Sequence, residues 1–255
     1  MNWLKKIYQL IYPPLAEKYP IKLIDYFGNW EKIIHDNEPH FGVAGQRVVL
    51  RSKNVLLHRR IEALASAASM NYASKNEILR GLLPETTDEI RLLAFQLLET
   101  QEKAISKKIN WVNKLVKHAK TNSELHNGYK IIAQLYYELV YQNLVQPELR
   151  DSILATAFEY VQKALKTDIK DPIAWALQGK IQLKQQDYEG AESSLLHAME
   201  LCAQPRETVP YIAEMHFKKR EFLVIPKFFE EHPSLSDLPR VGTVARFWSE
   251  DKHII

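Results

Sequence analysis

Apolar residues along most of this chain return every third or fourth position, the spacing that lines one face of a helix. Ile61, Leu64 and Ala68 form one such stripe, and Ile90, Leu93, Ala94, Leu97 and Leu98 form another. The pattern around them predicts a helix, a short loop over 71–74, a second helix, a loop over 84–87 and a long helix from near Asp88. Ser74 with Glu77 fits a capping box, and Thr87 or Asp88 can cap the next start. No proline or glycine interrupts the long helix before about Lys120, and Trp111, Leu115 and Val116 lie on its inner side. Coiled-coil pairing would need a sustained heptad, which is not evident. A further apolar-rich helix is expected over 121–146, with Pro147 starting the next.

The most informative stretch is 171–205, DPIAWALQGKIQLKQQDYEGAESSLLHAMELCAQP. Trp175 reads as the large knob of a first helix, and Gly179 as the small residue that lets a second helix come close. After Asp187 and Tyr188, the residues Ala191, Leu195 and Ala198 make one apolar seam, and a proline follows. This set resembles one tetratricopeptide (TPR) repeat. A shift of 34 residues back lays Ala157, Val161 and Ala164 on that seam, although the partner helix around 129–145 is out of phase and needs a longer loop. The same shift forward lays Val209 on Trp175, Ala213 on Gly179, Glu221 on Asp187, Phe222 on Tyr188 and Phe229 on Leu195. About three repeats are therefore expected, the outer two degenerate, with Arg246, Phe247 and Trp248 closing the last as a cap. Asp88, Ile90 and Arg91 at a helix start also resemble a HEAT-type pair. The predicted fold is an all-α helical-repeat solenoid. It has a helical extension over 1–50, a HEAT-like pair and long spine helix over 51–120, and TPR-like repeats with a cap over 121–255.

Composition narrows the function. With 255 residues, 46% of them hydrophobic, the chain can bury a sizeable core. Its 34 basic and 31 acidic residues nearly cancel, so bulk charge makes no case for nucleic acid or an anionic membrane. Cys202 is the only cysteine, which excludes an internal disulfide and a multi-thiolate zinc site and suggests a reducing compartment. No run reaches the roughly 18–20 apolar residues of a membrane-spanning helix, and the amino terminus lacks a signal-peptide pattern. A soluble, cytoplasmic chain is expected. Trp3, Leu4, Ile7, Tyr8, Leu10 and Ile11 have helical spacing, ended by Pro13 and Pro14. That helix would lie against the protein or, with Lys5 and Lys6 beside it, against a membrane surface. His35 and His40 bracket an acidic segment that matches no familiar metal spacing and reads as a solvated turn. Arg47, Arg51, Lys53, His58, Arg59 and Arg60 read as a solvated face, with phosphate, nucleic-acid or acidic-protein binding second.

No HExxH, glycine-rich phosphate loop or GxSxG occurs, so catalysis and a cofactor are not expected. Cys202 reads as a small, semi-buried thiol at a helix end, and Glu230 with Glu231 as solvation. Stacked helical pairs create a groove, and binding there is the favoured role. The residues facing away from the Trp175 and Gly179 seam are Lys180, Leu183 and Lys184 on one first helix and Glu214, Phe217 and Lys218 on the next, with Tyr137 added before them. Each is an ordinary solvated residue in the simpler reading. Together, aromatic anchors beside lysines suit a protein surface with an apolar ridge and an acidic rim. Ala176 and Lys180 occupy positions of the lysine-asparagine clamp for a terminal carboxylate, so a chaperone-tail ligand is not expected.

The order LPETTDEIRLLAFQLLETQEKAISKKI, a long helix, a TPR unit and YIAEMHFKKREFLVIPKFF resembles the carboxy-terminal cytoplasmic region of the PelE family of bacterial Pel exopolysaccharide machinery. The resemblance covers about 51–248 and is most specific over 88–105 and 210–229. It implies a non-catalytic scaffold at the cytoplasmic side of the inner membrane, working with a PelD-like cyclic-di-GMP receptor, a PelG-like membrane protein and a PelF-like glycosyltransferase. Family members usually begin with membrane-spanning helices, which this sequence does not contain; either its attachment comes through partners, or a preceding segment lies outside this sequence.

Overall fold

Where the apolar stripes run, the chain is helical, and no strand occurs among the described residues. The computed structural model describes residues 45, 48–50, 52, 54–68, 72–84, 88–239 and 241–250. The expected helix near the amino terminus, the His35 and His40 segment, and Arg47, Arg51 and Lys53 lie outside them. Two compact units divide the chain, 1–104 with 142–144 and 105–141 with 145–255. Among the described residues, no helix is long and apolar enough to cross a membrane.

The first unit holds α1 (Leu57–Ala68), α2 (Tyr72–Gly81) and the start of α3 (Asp88–Lys117). Leu64, Leu79, Leu82, Ile90 and Ala94 are among its buried residues. Helix α2 already begins at Tyr72, so Ser74 stands inside it and the expected capping box is not its start. Helix α3 does begin at Asp88, whose carboxylate accepts a hydrogen bond from Arg91. It ends at Lys117, three residues short of the expected limit.

The division falls inside α3, earlier than the expected boundary at 120. The cause is packing: beyond Ala104 the buried line of α3 is Ile105, Ile109 and Val112, flanked by half-buried Trp111, Leu115 and Val116. Gly128 leaves room for the Val116 side chain, and the Tyr160 hydroxyl donates to Asn113 Oδ1 at 3.4 Å.

The second unit continues with α4 (Asn122–Tyr141), α5 (Arg150–Thr167), α6 (Pro172–Gln185), α7 (Tyr188–Glu200), α8 (Pro205–Lys219), α9 (Ile225–Glu230) and α10 (Gly242–Glu250). Each helix from α4 to α8 packs on the next, while α4 and α8 both also touch α6. The 3₁₀ turn Pro147–Leu149 supplies the longer connection expected after α4. Asp171 caps α6, accepting from the amides of Ile173 and Ala174, with Pro172 as first helical residue.

Gly179 does what its position in the pattern suggests. A Cβ there would lie 2.6 Å from Leu195 Cγ and 3.1 Å from the Ala191 carbonyl oxygen, so its absence sets the approach of α6 and α7. Ala191, Leu195 and Ala198 are fully buried, and Tyr188 packs partly buried beside them. Trp175 is half-buried: its Nε1–H donates to the Ile169 carbonyl at 2.7 Å, and its ring meets His197 edge-on at 4.7 Å. The preceding seam, Ala157, Val161 and Ala164, is fully buried as well. Ala213 joins Val209, Ile225 and Phe229 in the next cluster.

Helix α6 stops at Gln186, in the left-handed region at φ 67°, whose N–H bonds the Gln182 and Leu183 carbonyls. The same stop recurs 34 residues on at Arg220, φ 61°, bonding the His216 and Phe217 carbonyls. Cys202 follows α7 in a like conformation, φ 63°, and is exposed where a semi-buried thiol was expected. Phe222 is a second correction. Unlike Tyr188, it is not beside the seam; it is exposed, with exposed Phe217 at 5.5 Å and partly buried Trp248 at 6.3 Å between ring centres, because the segment after α8 is a 3₁₀ turn. Trp248 packs on the last cluster, whereas Phe247 stays exposed.

Candidate binding groove

Three helices of the second unit present residues to one cavity of about 200 Å³. Helix α4 gives Lys130, Gln134, Tyr137, Glu138 and Tyr141; α6 gives Ile173, Leu177 and Lys180; α8 gives Glu207 and Tyr211. Apart from the adjacent pair Tyr137 and Glu138, each set steps by three or four residues, so one stripe of each helix faces the cavity. Buried Tyr137 and Leu177 form its floor, and exposed Ile173 and Tyr141 its mouth.

Two features control what this groove can hold. The first is the Tyr137 hydroxyl, which has no hydrogen-bond partner among the described residues although the side chain is only 5% exposed. Burial, followed by the nearby Tyr211 and Glu214, pushes this phenol far above its ordinary range; burial and Tyr141 do the same to Tyr211. Both therefore keep their protons at physiological pH.

The second is the state of the lysines. Lys130 Nζ donates to Asp171 at 2.5 Å, and Lys180 Nζ to Glu207 at 2.5 Å while lying 4.6 Å over the Tyr211 ring. Lys184 and Lys218 both bridge to Glu214, at 3.1 and 3.0 Å. Burial raises the Glu214 carboxyl, but Lys184 and Lys218 outweigh it and hold it below the usual range. Cations expected to meet a partner's acidic rim are thus matched by the protein's own carboxylates. Lys180→Glu would set two carboxylates together between α6 and α8, and it is expected to lower unfolding free energy by on the order of 1 kcal/mol. Chemical denaturation checks this, and an unchanged midpoint would argue against the pairing.

Below the cavity, Asp171 gathers a polar cluster. His126 Nε2–H donates to its Oδ2 at 2.7 Å, and His126 Nδ1 lies 2.9 Å from the Ala164 carbonyl oxygen. Burial pushes the Asp171 carboxyl up, yet the hydrogen bonds from Lys130 and His126 together outweigh it and leave it below the ordinary range.

Of the residues expected in a groove, the structure brings Tyr137 and Lys180 into it. Lys184, Glu214 and Lys218 form an ion-paired row on α6 and α8. Leu183 is a correction: it is fully buried with Ala191, Leu195, Ile212 and Met215, on the side of α6 that faces α7 and α8. Phe217 is also displaced, 56% exposed in the aromatic row with Phe222. Sequence reasoning missed Tyr141, Ile173, Leu177 and Tyr211. The signal was present in the steps of three and four from Lys130 to Tyr141 and from Ile173 to Lys180.

No protein-family model and no curated protein matches this chain. In the basic cluster, Arg60 is buried and donates through Nε and Nη2 to the Leu50 carbonyl at 3.1 and 2.7 Å. It therefore serves packing, and its guanidinium is withdrawn from any phosphate-binding face. His58 and Arg59 are exposed, with Arg59 pairing to Glu62 at 3.3 Å.

Proposed function

We propose that this chain is a non-catalytic protein-protein interaction scaffold, built as a helical-repeat solenoid with TPR-like pairs after a HEAT-like start. The observation that carries the reading is the groove spanning α4, α6 and α8, a surface that single helices cannot make. The close Gly179 approach and the helix stop repeated at Gln186 and Arg220 support the repeat character. The cavity, at about 200 Å³, is smaller than the ~300–1,000 Å³ of typical small-molecule sites, which favours an anchoring side chain over a whole cofactor.

The resemblance to the PelE family supplies the setting: assembly of a Pel-type exopolysaccharide synthase and export complex, with the chain cytoplasmic and held at the inner membrane by partners. One surface would engage a PelD-like cyclic-di-GMP receptor or a PelG-like membrane protein while another recruits a PelF-like glycosyltransferase. Holding the enzyme near the export channel raises its effective concentration there without any chemistry by the scaffold. The test is a pull-down of the full chain from membranes and cytosol of its source, read by mass spectrometry at two salt concentrations. A salt-tolerant complex with such a receptor or glycosyltransferase is the expected result. Recovery of nucleic acid with steep salt loss would instead move the function to the basic cluster and sink the scaffold reading.

A further inference from the structure

Charge that the bulk composition hides is gathered on one face of the second unit. Over 105–120 and 159–170 the sequence carries eight lysines against Glu159 and Asp168, whereas the whole chain has an excess of three basic residues. The fold sets these segments side by side. The C-terminal halves of α3 and α5 both flank the start of α4, with Val116 against Gly128 and the Ala164 carbonyl 2.9 Å from His126 Nδ1, and the Tyr160 hydroxyl reaches across to Asn113. Lys114, Lys117, Lys163 and Lys166 are exposed there and form no ion pair among the described residues. The groove lysines differ: Lys130, Lys180, Lys184 and Lys218 are all bound to carboxylates of their own chain. Lys163 is held without being neutralised, its Nζ lying 4.7 Å from the Tyr160 ring centre.

Open cations call for an anion, and three observations narrow its kind. Neither segment contains an arginine, so the paired donors with which arginine grips phosphate are lacking. The Tyr160 ring is already taken up by Tyr136, stacked on it at 5.9 Å, and by Lys163, so it offers no face to a nucleotide base. Exposed Lys107, Lys114 and Lys117 rise about 15 Å along α3, further than one small acid spans and about the reach of five extended residues.

We infer that the face shared by α3 and α5 binds an acidic segment of a partner protein, whose aspartate and glutamate side chains pair with Lys117, Lys163 and the lysines beside them. This rests on the scaffold reading and gives it a second surface, made of other residues than the groove. Attraction through open cations is screened by salt, so this face selects and steers its partner, and a salt-tolerant complex draws on another surface as well.

The experiment uses the full chain and a fluorescein-labelled, acetylated dodecapeptide in which glutamate alternates with serine and glycine. Beside it are the same peptide with glutamine for glutamate and a labelled single-stranded oligonucleotide of equal charge. Fluorescence polarisation at about 0.02 M salt should show the glutamate peptide bound at least about tenfold tighter than the glutamine peptide, a preference mostly lost at about 0.3 M salt. Lys163→Glu should weaken it by about three- to fivefold, and Lys117→Glu with Lys163→Glu by about tenfold or more, since each change trades an attraction for a repulsion. Lys227→Glu makes the same change of net charge at an exposed residue of α9 and should alter binding by less than about twofold. Circular dichroism verifies that the variants fold. Equal binding of the two peptides, equal loss in Lys163→Glu and Lys227→Glu, or tighter binding of the oligonucleotide overturns the inference. If one of these occurs while the full chain still recovers a protein partner, the scaffold reading stands without this surface. If peptides and variants behave as expected but the wild type recovers no protein partner, the scaffold reading alone fails.

Discussion

Asp171→Ala is expected to destabilise the protein by about 3–5 kcal/mol, the range for removing one member of a buried charge cluster. One carboxylate oxygen accepts from His126 and Lys130 on α4, and the other from the Ile173 and Ala174 amides that begin α6. Alanine strands both α4 side chains below the groove and removes a helix cap worth about 1 kcal/mol. Asp171→Asn should lose less, because its side-chain oxygen can still cap. Acidity gives an independent check. The folded carboxyl lies below its ordinary range, so its contribution is full above about pH 4 and is lost as pH falls through the lower, folded value. The gap between wild type and Asp171→Ala in urea unfolding should therefore shrink below about pH 4. A gap that stays constant down to strongly acidic pH would show that the cluster contributes nothing.

Gly179→Leu should be nearly as severe. Even a methyl group at this position would press on Leu195 and on the Ala191 carbonyl oxygen, and the second of these is backbone that yields only if α7 moves. Gly179→Ala should cost on the order of 1–3 kcal/mol, and leucine about 3 kcal/mol or more. For a chain of this size the leucine variant should melt about 6–12 °C lower by circular dichroism. Adding Leu195→Ala should recover part of the loss, because it vacates the nearest atoms; strict additivity of the two changes would contradict their contact. An unchanged melting temperature for Gly179→Leu would refute the close approach itself.

The helices and their seams were legible because burial writes itself into spacing. Ala157, Val161 and Ala164, and again Ala191, Leu195 and Ala198, recur at three and four, and all are fully buried. Gly179 was legible for a different reason: a helix interior tolerates glycine at a cost, so its place in the pattern pointed to a neighbour. The groove was only half legible. Lys180 and Tyr137 do line the cavity, but Leu183, expected to face outward, is buried because α6 is packed on more than one side. A helix covered by α5, α7 and α8 has a weak amphipathic signature, because the residues it leaves unburied, Pro172, Ile173, Trp175, Lys180, Lys184 and Gln185, mix apolar with polar. Nor could spacing reveal that the lysines are internally neutralised. Lys180 with Glu207 and Lys184 with Glu214 are 27 and 30 residues apart and meet only through the stacking of α8 on α6. Phe222 was misplaced because the chain leaves α8 through a 3₁₀ turn, a change of path that a fixed repeat length cannot anticipate.

The exposed thiol after α7 offers a practical vantage. Cys202 is the only cysteine in the sequence and does not line the groove, so a maleimide dye attaches at one defined position without prior mutagenesis. With an acceptor dye on a peptide, energy transfer from that turn would read out occupancy and distance together, turning a structural incidental into a built-in spectroscopic reference point.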